Sequence, residues 1–124
     1  MNILIVEDDR TNQALLGFQA EDAQSDVSVV TADNGEEALQ RLIQVSPISL
    51  ILLDLGMPQM DGFEFLARLR ATPGQARTPV IVVTARDLSE RDHDHLRSMG
   101  VRRVFQKGRY DTQALSEAIT ECAQ

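Results

Sequence analysis

Four apolar runs in this 124-residue sequence are each followed by a side chain able to do chemistry. Glu7-Asp8-Asp9 follows Ile3-Leu4-Ile5-Val6, Asp54 follows Leu50–Leu53, and Thr84 follows Val80–Val83. Lys107 follows a weaker run, Arg103–Gln106, and is the only lysine among twelve basic residues. Taken singly, each has an ordinary explanation: a helix cap, a turn residue, a strand end, a surface ammonium. Brought together, they would make a site of several carboxylates, one hydroxyl and one ammonium. Clustered carboxylates repel unless a cation joins them. All-oxygen ligands select a hard ion, and Mg²⁺ commonly shares such ligands with a phosphate. A carboxylate beside such an ion can act as a nucleophile toward a phosphoryl donor and form an aspartyl-phosphate. A lysine and a hydroxyl are then suited to stabilise charge on the phosphoryl oxygens.

The elements that must position these residues are legible in the hydropathy pattern. Ile3–Val6, Leu50–Leu53 and Val80–Val83 are continuous apolar runs, as expected of parallel strands covered on both faces. Val27–Ala32 and Arg103–Gln106 read as two further strands. Between them, apolar residues recur three or four apart: Leu15 with Phe18 and Leu16 with Ala20, then Ala38 with Leu42 and Leu39 with Ile43. Leu66 with Leu69 follows, and Leu115, Ala118, Ile119 and Cys122 complete the set. Each pattern predicts a helix with one buried stripe, and Asp111 is placed to cap the last. Asp87–Met99 predicts a helix with a poor apolar stripe, Asp87 and Glu90 forming its capping pair and Gly100 its stop. Strict strand–helix alternation predicts one doubly wound α/β domain over residues 1–124, with a five-stranded parallel sheet in the flavodoxin-like order 2-1-3-4-5. Its crevice lies beyond the carboxyl ends of the first and third strands.

Composition excludes several classes. No stretch approaches the ~20 apolar residues of a membrane span. An acidic start directly after a short apolar run is not a secretory signal, and the single Cys122 closes no internal disulfide. Both point to the cytoplasm. The net charge of −7 argues against direct binding of nucleic acid. Residues 1–64 hold twelve acids and two bases, and residues 65–124 hold seven acids and ten bases. The acidic half could hold a cation and the basic half could serve as a partner surface. A flavodoxin-like electron carrier would need a phosphate cradle after the first strand. Glu7-Asp8-Asp9 would repel that phosphate.

The strings ILIVEDD, LLDLGMPQMDG, VIVVTA and VFQKG occur in that order. With them the whole chain resembles the receiver domains of two-component response regulators. The resemblance implies a signalling switch rather than an enzyme acting on an external substrate. Asp54 would accept a phosphoryl group from a phosphohistidine of a histidine kinase or histidine phosphotransfer protein. Asp8 would bind Mg²⁺ directly, Glu7 mainly through water, with Asp54 and the Gly56 carbonyl completing the protein ligands. Thr84 would bond the phosphoryl group and move toward it, and Lys107 would pair with another phosphoryl oxygen. Pro58 and Gly62 would shape the loop after Asp54. The signal would pass to a downstream effector or output domain. The alternative is a receiver-like binding scaffold that works without phosphorylation.

Two positions depart from the family pattern. Val104 stands where an aromatic residue is usual, and Gly108 where proline usually follows the lysine. A cis peptide before proline costs only ~0.5–1 kcal/mol over trans, but before glycine it costs ~2.5–4 kcal/mol. A trans Lys107–Gly108 peptide is therefore expected, with a mobile loop around it. With no ring at position 104, the signal is expected to travel through the loop after the fourth strand and the helix that follows. His93 and His95, two apart on a helix, point in different directions and make no metal pair. Phe63, Phe65 and Phe105 read as core or groove residues.

Overall fold

The computed structural model describes residues 1–57 and 59–123. Pro58, expected to shape the loop after Asp54, lies outside the described residues. Five strands and five helices alternate without exception. They are β1 (Asn2–Val6), α1 (Arg10–Ala23), β2 (Ser28–Ala32), α2 (Gly35–Gln44) and β3 (Ile48–Leu53), followed by α3 (Gly62–Ala71), β4 (Val80–Thr84), α4 (Glu90–Ser98), β5 (Val101–Gln106) and α5 (Thr112–Ala123). The strands form one parallel sheet in the order β2-β1-β3-β4-β5, as the alternation predicts.

Side chains alternate across a strand, so each apolar run feeds two cores. Leu4, Val6, Ile51, Leu53, Val80 and Val82 pack with α2, α3 and α4 on one face. Ile3, Ile5, Leu50, Leu52, Ile81 and Val83 pack with α1 and α5 on the other. This is why the central strands read as unbroken apolar runs rather than alternating ones. Edge strands β2 and β5 carry exposed polar residues, and their runs are correspondingly weaker. Among the described residues, no helix is long and apolar enough to cross a membrane.

The helix stripes are only partly those expected. Leu16 and Ala20 enter the core, whereas Leu15 and Phe18 point outward, Phe18 with 71% of its surface exposed. Ala38 and Leu42 are buried, but Ile43 is 82% exposed. Spacing groups residues on a face without saying which face meets the sheet. The cap of α4 also differs. The Ser89 hydroxyl accepts from the Asp92 backbone N–H at 3.1 Å, and the Asp92 carboxylate accepts from the Ser89 N–H at 3.0 Å. This reciprocal pair replaces the expected Asp87–Glu90 pair. Asp87 instead accepts from the Gln106 side-chain amide at 2.9 Å. Gly100 ends this region at φ 82°, in the left-handed conformation expected of a helix stop. Of the α4 residues only Leu96 is buried, which agrees with the poor stripe. Its C-terminal end is held by Arg70, whose guanidinium donates to the Met99 and Thr78 carbonyls, each at 2.8 Å.

Leu52 is fully buried and Ile43 is exposed. Leu52→Ala should cost about 2–5 kcal/mol of unfolding free energy, the usual range for a large-to-small core change. Ile43→Ala should stay within about 0.5 kcal/mol. Urea unfolding of the two variants against the parent chain checks both.

Candidate functional site

The sheet's hydrogen bonding runs one residue beyond the strand ends and fixes the backbone of the site. The Glu7 N–H donates to the Ala32 carbonyl at 3.0 Å, the Asp54 N–H to Val6 at 3.0 Å, and the Lys107 N–H to Thr84 at 2.8 Å. Residues 7, 100 positions of sequence before 107, and 54 are thereby brought to one edge of the sheet. From there α1 leaves toward one face and α3 toward the other, which opens a crevice between the ends of β1 and β3.

Glu7 has no exposed surface, and Asp54 is buried. The Lys107 ammonium donates to Glu7 Oε1 and, at 3.3 Å, to Asp54 Oδ2. The second Glu7 oxygen accepts from the Asp9 N–H at 3.1 Å, and Asp54 Oδ1 accepts from the Gly56 N–H at 3.2 Å. Carboxylate oxygens of Glu7, Asp8 and Asp54 lie within 4.8 Å of one another. Asp8 is exposed, and its carboxylate has no hydrogen-bond partner among the described residues. Asp9 does not join this group. It caps α1, its side chain accepting from the Asn12 N–H at 3.0 Å.

The electrostatics follow from burial and count. Three carboxylates face one ammonium, which leaves room for a divalent cation. Burial pushes the Glu7 carboxyl up to about 7, against the lowering pull of the Lys107 hydrogen bond and the Asp9 N–H, with the nearby Asp54 charge adding to the rise. Burial alone would lower the Lys107 ammonium, but the hydrogen bond to Glu7 and the Asp54 charge outweigh it and hold the group above its ordinary value.

Thr84 is buried at the end of β4 on the same sheet edge. Its hydroxyl oxygen accepts from the Arg86 N–H at 3.2 Å. The loop after Asp54 returns sharply. The Gly62 N–H donates to the Leu55 carbonyl at 3.1 Å, and a Cβ at 62 would stand 2.7 Å from the Leu55 Cα, so only glycine fits. Asp61 then caps α3.

The only cis peptide among the described residues joins Ser46 to Pro47, so Lys107–Gly108 is trans, as expected. Gly108 has φ 77°, and the Arg109 N–H donates to the Gln106 carbonyl at 3.1 Å. These features place Gly108 at the third position of a type II turn, where glycine is favoured. Two supporting residues carried no signal in the sequence. Gln13 is buried in α1, and its amide donates to the Glu7 carbonyl and to Asp33, tying β1 to the loop after β2. Arg70 has no marking pattern either, because its partners are backbone carbonyls remote in sequence.

Comparison with known proteins agrees with this fold. The family model described as "Response regulator receiver domain" matches residues 3–120. The Escherichia coli signal transduction histidine-protein kinase BarA is 39% identical over 85 residues, 68% of this chain but only 9% of that kinase. The signal receiver domain of a DNA-binding response regulator from Colwellia psychrerythraea superposes with a TM-score of 0.86 at 29% identity, covering 98% of this chain and 96% of that one. The phosphorylated cyanobacterial phytochrome response regulator RcpA superposes at 0.78 with 29% identity, covering 97% and 89%. The chain belongs to the receiver-domain family of two-component response regulators.

Burial of Glu7 makes a pH prediction for the metal-free protein. Its carboxyl titrates near 4.5 when exposed and near 7 in the folded chain, so the folded state holds the proton more tightly. The resulting stabilisation is complete below pH 4.5 and is lost as pH rises through about 7, with a swing on the order of 3 kcal/mol at most. The parent chain should therefore lose stability relative to Glu7→Gln between pH 4.5 and 8. Denaturant unfolding of both across this range is the measurement, and parallel pH profiles would contradict the assigned cause.

Proposed function

We propose that the chain, as a single receiver domain over residues 1–124, accepts a phosphoryl group on Asp54 from a phosphohistidine of a histidine kinase or histidine phosphotransfer protein. The observation that carries this reading is the Lys107 ammonium lodged between Glu7 and Asp54, with Asp8 close by. The Asp54 carboxylate attacks phosphorus, the P–N bond to the donor imidazole breaks as the new P–O bond forms, and the electron pair leaves with the imidazole. The Lys107 ammonium, which donates to Asp54 before transfer, donates to a phosphoryl oxygen after it, and the Thr84 hydroxyl donates to another. The clustered carboxylates of Glu7, Asp8 and Asp54 fit Mg²⁺, which when bound would neutralise phosphoryl oxygens; the Gly56 carbonyl is assigned as a further ligand from the family resemblance. Both Glu7 oxygens are already engaged, whereas the Asp8 carboxylate has no hydrogen-bond partner among the described residues, which supports direct ligation by Asp8 and a water-mediated role for Glu7. Water later hydrolyses the acyl phosphate, so the chain catalyses only its own modification. The phosphorylated RcpA relative supports the same chemistry.

In this reading the chain works in the cytoplasm and passes its state to a downstream effector or output domain. A scaffold independent of phosphorylation is not favoured, since the acids, hydroxyl and ammonium are all present. Movement of the Thr84 side chain toward the phosphoryl group displaces the hydroxyl oxygen that accepts from the Arg86 N–H. The Arg86 guanidinium lies 5.4 Å from the centre of the Phe63 ring, and that ring packs against His95 of α4 at 5.6 Å. A shift at Thr84 thus reaches α4 without any aromatic side chain at position 104.

Two measurements test the reading. Intact-mass analysis after incubation with acetyl phosphate and Mg²⁺ should show one added phosphoryl group, absent in Asp54→Asn. Asp8→Ala should slow its appearance more than Glu7→Gln does. A persistent adduct in Asp54→Asn would refute the acceptor assignment. Amide shifts with and without beryllofluoride should change most, outside the site, in Ala85–Met99 and little at Val104. Changes centred on Val104 with Ala85–Met99 static would rule out the Arg86–Phe63–His95 route.

A further inference from the structure

Asp8 is exposed and its carboxylate has no hydrogen-bond partner among the described residues, so its place depends on the two peptide groups that flank it. The peptide after it is held by the Asp9 N–H, which donates to Glu7 Oε2 at 3.1 Å. The peptide before it carries the Glu7 carbonyl. In a parallel ladder, a residue that donates to one position of its neighbour accepts from the position two further on. The Glu7 N–H donates to the Ala32 carbonyl, so the ladder would bring the Asn34 N–H to the Glu7 carbonyl. That bond is not made, because the chain leaves the sheet at Asn34 to cap α2. The Gln13 side chain takes its place. Its Nε2 donates to the Glu7 carbonyl at 2.5 Å and to Asp33 Oδ1 at 2.6 Å, and Arg10 holds the other Asp33 oxygen at 3.1 Å. The buried residues of α1 are Gln13, Leu16, Gly17 and Ala20, and Gln13 is the one polar member. Burying an amide is unfavourable unless it is hydrogen-bonded, and an apolar side chain would fill the same space. The polar choice at this position serves the backbone beside it.

We propose that Gln13 is a positioning residue for the cation site: it fixes the plane of the Glu7–Asp8 peptide and thereby the stand of the Asp8 carboxylate beside Glu7 and Asp54. The inference rests on the reading of those three acids as an Mg²⁺ site. Gln13 touches neither the ion nor the phosphoryl group. Its amide acts on a backbone carbonyl, and the effect reaches the site through the next residue along the chain. Glu7 and Asp54 do not need this support, since their own N–H groups continue the sheet ladder and their carboxylates meet Lys107. Asp8 has no such anchor. With the Gln13 amide gone, the Glu7–Asp8 peptide is free to turn, and the cluster keeps two placed carboxylates instead of three.

The test is titration of the isotope-labelled chain with Mg²⁺ alone, no phosphodonor being present, followed by NMR. Gln13→Met keeps the length of the side chain and removes both donors. It should weaken Mg²⁺ roughly tenfold, the low end of what loss of an outer-shell partner costs, and should move the Asp8 amide signal before any ion is added. Gln13→Glu removes the same donors but adds a negative charge, which by Coulomb attraction alone would tighten the binding of a cation. Weaker binding by this variant separates positioning from charge. Leu16→Ala loosens the same helix without touching the Glu7 carbonyl, and should lower stability while leaving the affinity unchanged. In the parent chain the Gln13 side-chain amide signal should exchange slowly with solvent and respond to Mg²⁺ with the same midpoint as Asp8. Equal affinity in folded Gln13→Met and the parent, tighter binding by Gln13→Glu, or an equal loss in Leu16→Ala would overturn the proposal and leave the cation site standing. Absence of Mg²⁺ binding by the parent chain would overturn both. If neither Gln13 variant folds, the parent spectrum decides, and a Gln13 amide that exchanges freely and ignores Mg²⁺ overturns the proposal.

Discussion

A single ammonium held between two buried carboxylates is the constraint on which this site depends. Glu7 and Asp54 are carried out of water by the ends of β1 and β3, where their like charges repel. Lys107 reaches both from the far side of β4. Because the ammonium only offsets part of the negative charge, the cluster remains able to attract a divalent cation or hold a proton. Glu7, raised to about 7, stands at that balance point in the metal-free chain. Removal of one partner from such a group is costly, since it leaves a buried charge uncompensated.

The sheet makes this arrangement possible at little cost in flexibility. Hydrogen bonds from Glu7, Asp54 and Lys107 continue the parallel ladder, so the backbone of each site residue is as firmly placed as the core strands. Their side chains need only short reaches into the crevice. The loops that follow are shaped by local devices: the Asp9 cap, the close approach of Gly62 to Leu55, and the type II turn at Gly108. That turn answers the departure from the family pattern. Glycine after the lysine does not require a cis bond, and its positive φ closes the chain on Gln106.

The opposite behaviour is found at α4. It buries only Leu96, and its two ends are held differently. Arg70 ties the carbonyls at its C-terminal end to α3 and the loop before β4, and Phe63 packs on His95 of its last turn, whereas its N-terminal end rests on the Ser89–Asp92 cap. Elements with few buried apolar contacts are those that open or shift most readily. The rigid ladder and the loop that leads into the lightly held helix meet at Thr84 and Arg86, where the Arg86 N–H donates to the Thr84 hydroxyl oxygen.

The sequence by itself determined the element order, the sheet topology and the identity of the clustered residues. It could do so because buried parallel strands need unbroken apolar runs, and the polar residues that end those runs must fall on one edge. What lay beyond it were properties set by neighbours remote in the chain. Periodicity grouped Leu15 with Phe18 and Leu39 with Ile43, but the packing of α1 and α2 on the sheet decided that Phe18 and Ile43 face solvent. Spacing allowed Asp87 to cap α4, but Gln106 of the neighbouring strand took that carboxylate and Ser89 formed the cap. The split of Glu7-Asp8-Asp9 into a buried acid, an exposed acid and a helix cap, and the service of Gln13 and Arg70 to distant carbonyls, arise only when the strands are assembled. Burial and hydrogen-bond partnership are pairwise properties of the folded chain, and no local pattern encodes them.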